Sequence, residues 1–292
     1  MKYHVYALLL ATACLFPINA AAQAKPTNIY VSVLDGKGDP VKNLAAADFH
    51  VTEDGVSREV LKAAPATDPL TVALLIDDSQ ASTRAVQQIR QGVEDFVTGL
   101  AGKGDISIVS FGERPTIITD YTSDQKRLLD GAKKIFPRPG SGAYLLEAID
   151  QVCHGLEKRN AVRPVIAVLM LEDVEFSNLY YQRVLDELDK AGATLDVISL
   201  GQPAGPTTDE NRNRDLVISQ GTHDTGGRRD QVLAMTGVPL HMQQLAAELA
   251  NQYVVTYARP QQLIPPKRVD VTVSKPDVTV RARTRTGLTG AR

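Results

Sequence analysis

The sequence contains no tryptophan, and aromatic residues of all kinds reach only 5%, so stacking platforms for carbohydrate or single strands are poorly supplied. Charge of one sign is also lacking: a formal net charge of −2 supplies no overall field for nucleic acid or an anionic membrane. The five histidines fall at 4, 50, 154, 223 and 241, without the paired spacing of a zinc motif. Phosphate-cradling glycine loops are absent. Gly99 to Gly104 lies between a helix pattern and a strand pattern, the wrong order for that task. Pro139-Gly140-Ser141-Gly142 is not the Gly-x-Ser-x-Gly elbow of a serine hydrolase, and the first buried strand does not end in the Asp-x-Asp of a haloacid-dehalogenase-type phosphatase. Asp77-Asp78 could serve a receiver domain, but an exported chain meets no phosphate donor.

Export is expected from the first residues. Lys2 supplies a positive n-region, Val5 to Ala13 an apolar h-region, and Ala20-Ala21-Ala22 a small-residue cleavage site, so 1–22 reads as a signal peptide. The apolar stretch is shorter than the ~20 residues of a spanning helix. Periplasm, cell envelope and medium all remain open as destinations. Cys14 offers a competing lipidation site, which apolar Leu15-Phe16 makes less attractive. Beyond the leader only Cys153 remains, so no internal disulfide forms and the fold must stand on its core. Cys153 shares a helical stripe with Leu145, Ile149, Val152 and Leu156, which predicts a buried small hydrophobe, not a nucleophile.

A hydrophobic fraction of 43% is ample for a core, and two periodicities organise it. Residues 27–64 alternate as strands do: Ile29, Val31 and Val33, then Phe49 and Val51, with Asp54-Gly55 signalling a hairpin. Ala63 to Pro69 reads as a linker. Over 69–252 the texture becomes apolar runs alternating with amphipathic helices. Val72–Ile76, Ile106–Phe111, Val165–Leu171 and Leu195–Leu200 are nearly continuous in Val, Ile and Leu, as strands buried on both faces of a parallel sheet should be. Ile117 to Tyr121 follows its predecessor too closely for a crossover and should be an antiparallel edge. Gln202 to Arg229 is polar and reads as a long surface loop with some local structure. Residues 253–286 return to alternation, with a hairpin turning at Ser274 to Asp277. Arg281, Arg283 and Arg285 then read as the solvated face of an edge strand, or as a basic stripe for an anionic partner. The fold class is α/β: a doubly wound, Rossmann-like domain inserted in a small β-sandwich formed by the two ends of the chain.

In such sheets ligands sit at the carboxyl ends of the strands. Asp77-Asp78-Ser79-Gln80-Ala81-Ser82, Gly140-Ser141-Gly142-Ala143 and Glu172-Asp173 all meet that rule. Carboxylates and hydroxyls converging from three loops suit a hard cation such as Mg²⁺. The order of elements and Asp77-x-Ser79 resemble the von Willebrand factor type A domain. The flanks sharpen this: "VSVLDGKGDPVKNLAAADFHVTEDG", "PLTVALLIDDS", "YVVTY" and "VTVSKPDVTVRARTRTG" look like the von Willebrand factor A-related family best known from acidobacteria. The resemblance implies a Rossmann-like domain, ligand or protein binding, and a metal-ion-dependent adhesion site.

That site departs from the family pattern. Its first loop should read Asp-x-Ser-x-Ser; Asp77 and Ser79 match, but Ala81 replaces the last serine and Ser82 comes one residue late. Ala143 stands where the family has a ligating threonine, and Glu172-Asp173-Val174 keeps only the aspartate of Thr-Asp-Gly. Asp77, Ser79 and Asp173 are therefore the metal candidates, with Asp78, Ser82, Ser141 and Glu172 as substitutes. In the opposing reading Asp77 and Asp78 bond loop amides, Ser82 N-caps a helix over 84–101, and no ion binds. The expectation is a non-catalytic adhesion-type module that recognises a protein or cell-surface partner through these loops. A metal-free envelope scaffold is the second reading and a divalent-metal-dependent hydrolase the third.

Overall fold

The computed structural model describes residues 24–285 except 204, 206, 207, 262 and 263; the signal peptide expected over 1–22 and the lipidation site expected at Cys14 lie outside the described residues. β1 (Ala24–Leu34) leads to β2 (Phe49–Glu53) and β3 (Val56–Arg58). These last two form the hairpin expected at Asp54-Gly55, where both residues take positive φ (47° and 80°) as the mirror-image turn demands. β4 (Val60–Pro65) extends into the segment read as a linker. Alternation there is blurred because no residue of the strand is fully buried, which leaves little contrast between its faces.

The α/β domain follows: β5 (Leu70–Ile76), α1 (Val86–Gly99), β6 (Gly104–Ser110), β7 (Thr116–Thr122), α2 (Gln125–Ala132), α3 (Leu145–Lys158), β8 (Arg163–Leu171), α4 (Tyr181–Ala191), β9 (Thr194–Leu200), α5 (Asp209–Thr225), β10 (Arg229–Val232) and α6 (Val238–Ala250). Its six-stranded sheet has the order β10-β9-β8-β5-β6-β7. All neighbours are parallel except β6 and β7, the expected antiparallel edge. Helices cover both faces, so β5 is buried from Val72 to Ile76 and the apolar runs are accounted for. Cys153 packs in one of these layers, 1% exposed, and burial pushes its thiol well above the usual range.

α5 occupies most of the stretch read as loop. Its caps were legible, since Thr208 Oγ1 accepts the Asn211 N–H (3.2 Å) and Gly226 closes the helix at φ 72°. Its inward face was not. Asn211, Arg214, Val217, Ile218, Gly221 and Thr222 are buried together, so no apolar period marks the helix.

β11 (Tyr253–Pro260), β12 (Val269–Val273) and β13 (Thr279–Ala282) complete two antiparallel sheets, β13-β1-β11-β4 and β12-β2-β3. They share a core of Val31, Val33, Phe49, Val51, Val255 and Tyr257. The tail is not a hairpin, contrary to expectation. β12 pairs with β2 and β13 with β1, and the turn at 274–278 carries the chain from one sheet to the other.

The arginine stripe is solvated only at Arg285, which is exposed, while Arg281 and Arg283 turn inward. Arg281 Nη1 donates to both oxygens of buried Glu248 on α6 at 3.0 Å, and Arg283 donates to Asp189 Oδ1 (3.2 Å) and the Ala193 carbonyl (2.6 Å) beside α4. The strand faces the α/β domain, and its arginines tie the two together. No helix among the described residues is long and apolar enough to cross a membrane.

Candidate functional site

The strand order reverses around β5: the chain crosses to β6 on one side, then returns to β8 on the other. Such a switch point opens a crevice at the carboxyl ends, between the segments after β5 and β8. Asp77 sits there, fully buried. Its Oδ1 accepts the Ser79 N–H (2.9 Å) and its Oδ2 the Leu171 N–H (3.1 Å). Burial raises its pKa, against the opposing pull of bonds from Ser79 and the Leu171 amide. One oxygen thus holds the turn that follows β5, and the other stitches it to β8.

Asp78 turns the other way. Its Oδ1 accepts the Gly112 N–H at 2.7 Å and its Oδ2 accepts Arg138 Nε, also at 2.7 Å. Arg138 comes from the connection between α2 and α3; its Nη2 donates to Ser110 Oγ (3.3 Å) and its amide to the Asp78 carbonyl (2.8 Å). Gly112 admits no side chain, because a Cβ would lie 2.6 Å from Asp78 Oδ1 and 2.7 Å from Ser79 N. Nothing in the sequence tied Arg138 to Asp78, sixty positions apart.

The serines are engaged within their own loops. Ser82 Oγ donates to the Ser79 carbonyl (2.8 Å) inside a 3₁₀ turn over Gln80–Arg84, so it does not cap α1, which starts at Val86 after an Ala85 cap. Ser141 Oγ donates to the Arg138 carbonyl (2.9 Å). Ala143 bridges Gly112 on one side and Glu175 on the other, tying the second loop to the third.

In the third loop Glu172 Oε2 accepts Arg214 Nη2 (3.3 Å), and Arg214 Nη1 donates to the Asp173 carbonyl (2.6 Å). Asp173 itself is exposed. Glu175 went unnoticed in the sequence, yet it is the cap of α3: its carboxylate accepts the amides of Leu145 (3.3 Å), Leu146 (3.4 Å) and Ser177 (3.1 Å). Tyr144, the N-cap position, supplies no side-chain bond, so the cap arrives from thirty residues downstream, beyond any local signal. Glu175 is 1% exposed, and burial pushes its carboxyl up to about 7.

As placed, these donors do not fit a divalent cation. Asp77 has both oxygens on backbone amides, Asp78 faces Arg138, Glu172 faces Arg214, and alanines hold two ligand positions. Among the described residues no group of three or more His, Cys, Asp or Glu is placed to hold a metal ion. Mg²⁺ demands a near-octahedral oxygen set, which this arrangement does not offer.

The loops and helix starts at this end of the sheet also expose apolar side chains among polar ones. Among the described residues, seven of the twelve exposed large hydrophobic side chains fall there: Phe136, Val174, Phe176 and Tyr180, and, toward the β10 edge, Leu233, Met235 and Leu240. Phe136 lies under the Arg90 guanidinium (4.2 Å) and flanks an open cavity of about 430 Å³ walled by Asp78, Glu113, Lys134 and Arg138. Phe176 packs beside Tyr144 (6.0 Å between centroids) and fills the space a Cβ on Gly142 would need.

A parallel sheet with one antiparallel edge, helices on both faces and an acidic loop at the β5/β8 crevice make up a doubly wound, Rossmann-like α/β domain. Residues 72–171 match the family model for the von Willebrand factor type A domain. Among solved structures, the chain is similar to a von Willebrand factor type A protein from Catenulispora acidiphila, with a TM-score of 0.54 and 9% identity over 91% of this chain and 72% of the other. It is also similar to proximal thread matrix protein 1 from the mussel byssus, with a TM-score of 0.50 and 13% identity over 64% of this chain and 50% of the other. No curated protein matches the chain. At these identities the likeness establishes the fold alone.

Proposed function

We propose that this protein is an exported, non-catalytic recognition module that engages a protein or cell-surface partner through the loops over Asp77, Arg138 and Glu175, without a resident metal ion. One observation carries the reading: the concentration of exposed apolar side chains on this end of the domain, around acids already engaged by the chain's own donors. Exposed apolar surface rimmed by polar groups marks protein interfaces. Aromatic residues are scarce in the chain, so Phe136, Phe176 and Tyr180 standing exposed on one end supports recognition there. Von Willebrand A-type domains commonly mediate protein–protein contacts, in keeping with that use. Asp77, Ser79 and Asp173 remain the residues to substitute should an ion take part.

The test is cross-linking and capture from envelope extract, using the mature protein and a Phe136→Ser/Phe176→Ser double variant, each with and without chelator. Partners kept in chelator and lost in the variant support the proposal. Partners lost in chelator overturn its metal-free part, and partners retained by the variant overturn the assigned surface.

A further inference from the structure

We propose a second binding site, at the opposite end of the six-stranded sheet, for a small carboxylate or oxyanion. It lies in a cavity of about 160 Å³ where the sandwich meets the amino ends of β8 and β9. Tyr30, Arg163, Thr194, Thr225, Gln252 and Arg283 are among the residues of its wall. That wall carries two guanidinium groups and no carboxylate.

Arg163 is the informative residue. It is 5% exposed, and its hydrogen-bond partners are neutral: Nη2 donates to the Leu249 carbonyl (2.6 Å) and Gln252 Oε1 (2.5 Å), and Nη1 reaches the Asp68 carbonyl at a long 3.5 Å. The guanidinium carbon stands 5.1 Å from the centroid of the Tyr30 ring. Its Nε–H is enclosed and has no acceptor. The Asp68 carboxylate does not form an ion pair with it; Asp68 Oδ2 instead accepts the Tyr30 hydroxyl at 2.7 Å. A buried cation with neutral partners and an unanswered donor is costly unless an anion completes it. Arg283 already holds Asp189 outside the cavity wall, which leaves Arg163 as the guanidinium without an ion-pair partner; burial pulls both below their ordinary range against the opposing pull of Asp68 and Asp189.

The ligand class follows from the donor geometry. A guanidinium matches the paired oxygens of a carboxylate, sulfate or phosphate, and a halide lacks that match. Ile29, Val162 and Val165 supply an apolar flank that accommodates a short hydrocarbon body. Because β1 and Arg283 belong to the sandwich while Arg163 and Thr194 belong to the α/β domain, a bound anion would link the two. The site does not depend on the partner surface proposed above.

The experiment is a thermal melt of the mature protein in sulfate, phosphate, acetate and succinate at ionic strength matched with chloride. In parallel, the Arg163 Nε–H resonance is followed by NMR. A saturable rise in Tm with at least one oxygen anion, absent in chloride, and a saturable shift of the Nε–H resonance are expected. Arg163→Met should weaken half-saturation by about tenfold or more, as loss of a charge-assisted pair requires. If that variant fails to fold, the wild-type resonance still decides. Response to sulfate and phosphate alone assigns an inorganic oxyanion; response to acetate or succinate assigns an organic acid. Flat melts and an unmoved resonance in all four anions overturn the proposal, as does an Arg163→Met variant that responds like wild type.

Discussion

Arg138 Nε stands 2.7 Å from Asp78 Oδ2, so the acid following Asp77 faces a cation of the chain itself. Asp78 is almost fully enclosed and also holds the Gly112 amide, whereas the Arg138 side chain is 32% exposed. Removing either partner therefore has unequal consequences. Arg138→Ala should cost about 3 kcal/mol, because the carboxylate that remains is buried and keeps only the Gly112 amide. Asp78→Ala should cost about 1–2 kcal/mol, because it strands the Gly112 amide while the guanidinium stays partly solvated near Glu113. Urea unfolding measures both, and a cost for Asp78→Ala below about 0.5 kcal/mol would contradict the pairing.

Glu175 gives the site a pH dependence of known sign. Its folded carboxyl titrates at about 7, above the unfolded value of 4.5, so the folded state holds the extra proton between those limits. Stability linked to this group is complete below pH 4.5 and falls as pH rises toward 7. Glu175→Gln keeps an acceptor for the α3 amides and removes the titration. The variant should gain on wild type by roughly 2–4 kcal/mol between pH 4.5 and 8, with the difference flat outside that window. Parallel unfolding curves for the two proteins across this range would rule out the assignment.

Divalent ions should leave the melting curve in place. With Asp77 engaged by two amides and Ala143 unable to ligate, millimolar Mg²⁺ or Mn²⁺ is expected to shift Tm by less than about 1 °C relative to chelator. Calorimetry provides the converse check: saturable heat abolished by Asp77→Ala would reinstate an ion at Asp77, Ser79 and Asp173.

The clamp between sandwich and α/β domain is the fourth test. Glu248 is 3% exposed and accepts Arg281 through both oxygens, with Arg228 Nη1 3.6 Å away. Glu248→Ala leaves Arg281 without its counter-charge, while Arg228 keeps Asp230, and should cost about 3 kcal/mol in unfolding. Limited proteolysis should then cut near the 274–278 turn faster than in wild type. Equal cleavage rates would show that the clamp is dispensable.

The α/β layer and the position of the crevice were legible because they rest on periodicity and on strand ends, both local properties. Val72–Ile76 can be nothing but a buried strand, and Asp77 must follow it. The state of the crevice was not legible. Arg138, Arg214 and Glu175 act on acids or helix ends thirty to sixty positions away, through side chains that look like ordinary surface residues in sequence. The same holds for Arg281 and Arg283: alternation placed them together on one face, but only the docking of β13 shows that this face looks inward. α5 escaped for the opposite reason, its buried stripe being as polar as a loop.

The sandwich has a consequence for the order in which the molecule can be made. β11 lies between β1 and β4 and is the only strand that joins them, while β12 completes the sheet begun by β2 and β3. Until residues 253–282 have been synthesised, β1 and β4 have no partner strand, and β2 and β3 have only each other. The strands of the α/β domain can pair while they wait; β1 and β4 cannot. A chain stopped before Tyr253 would thus carry a paired six-stranded sheet beside adhesive, open strand edges, and residues 253–282 are the closure that covers them.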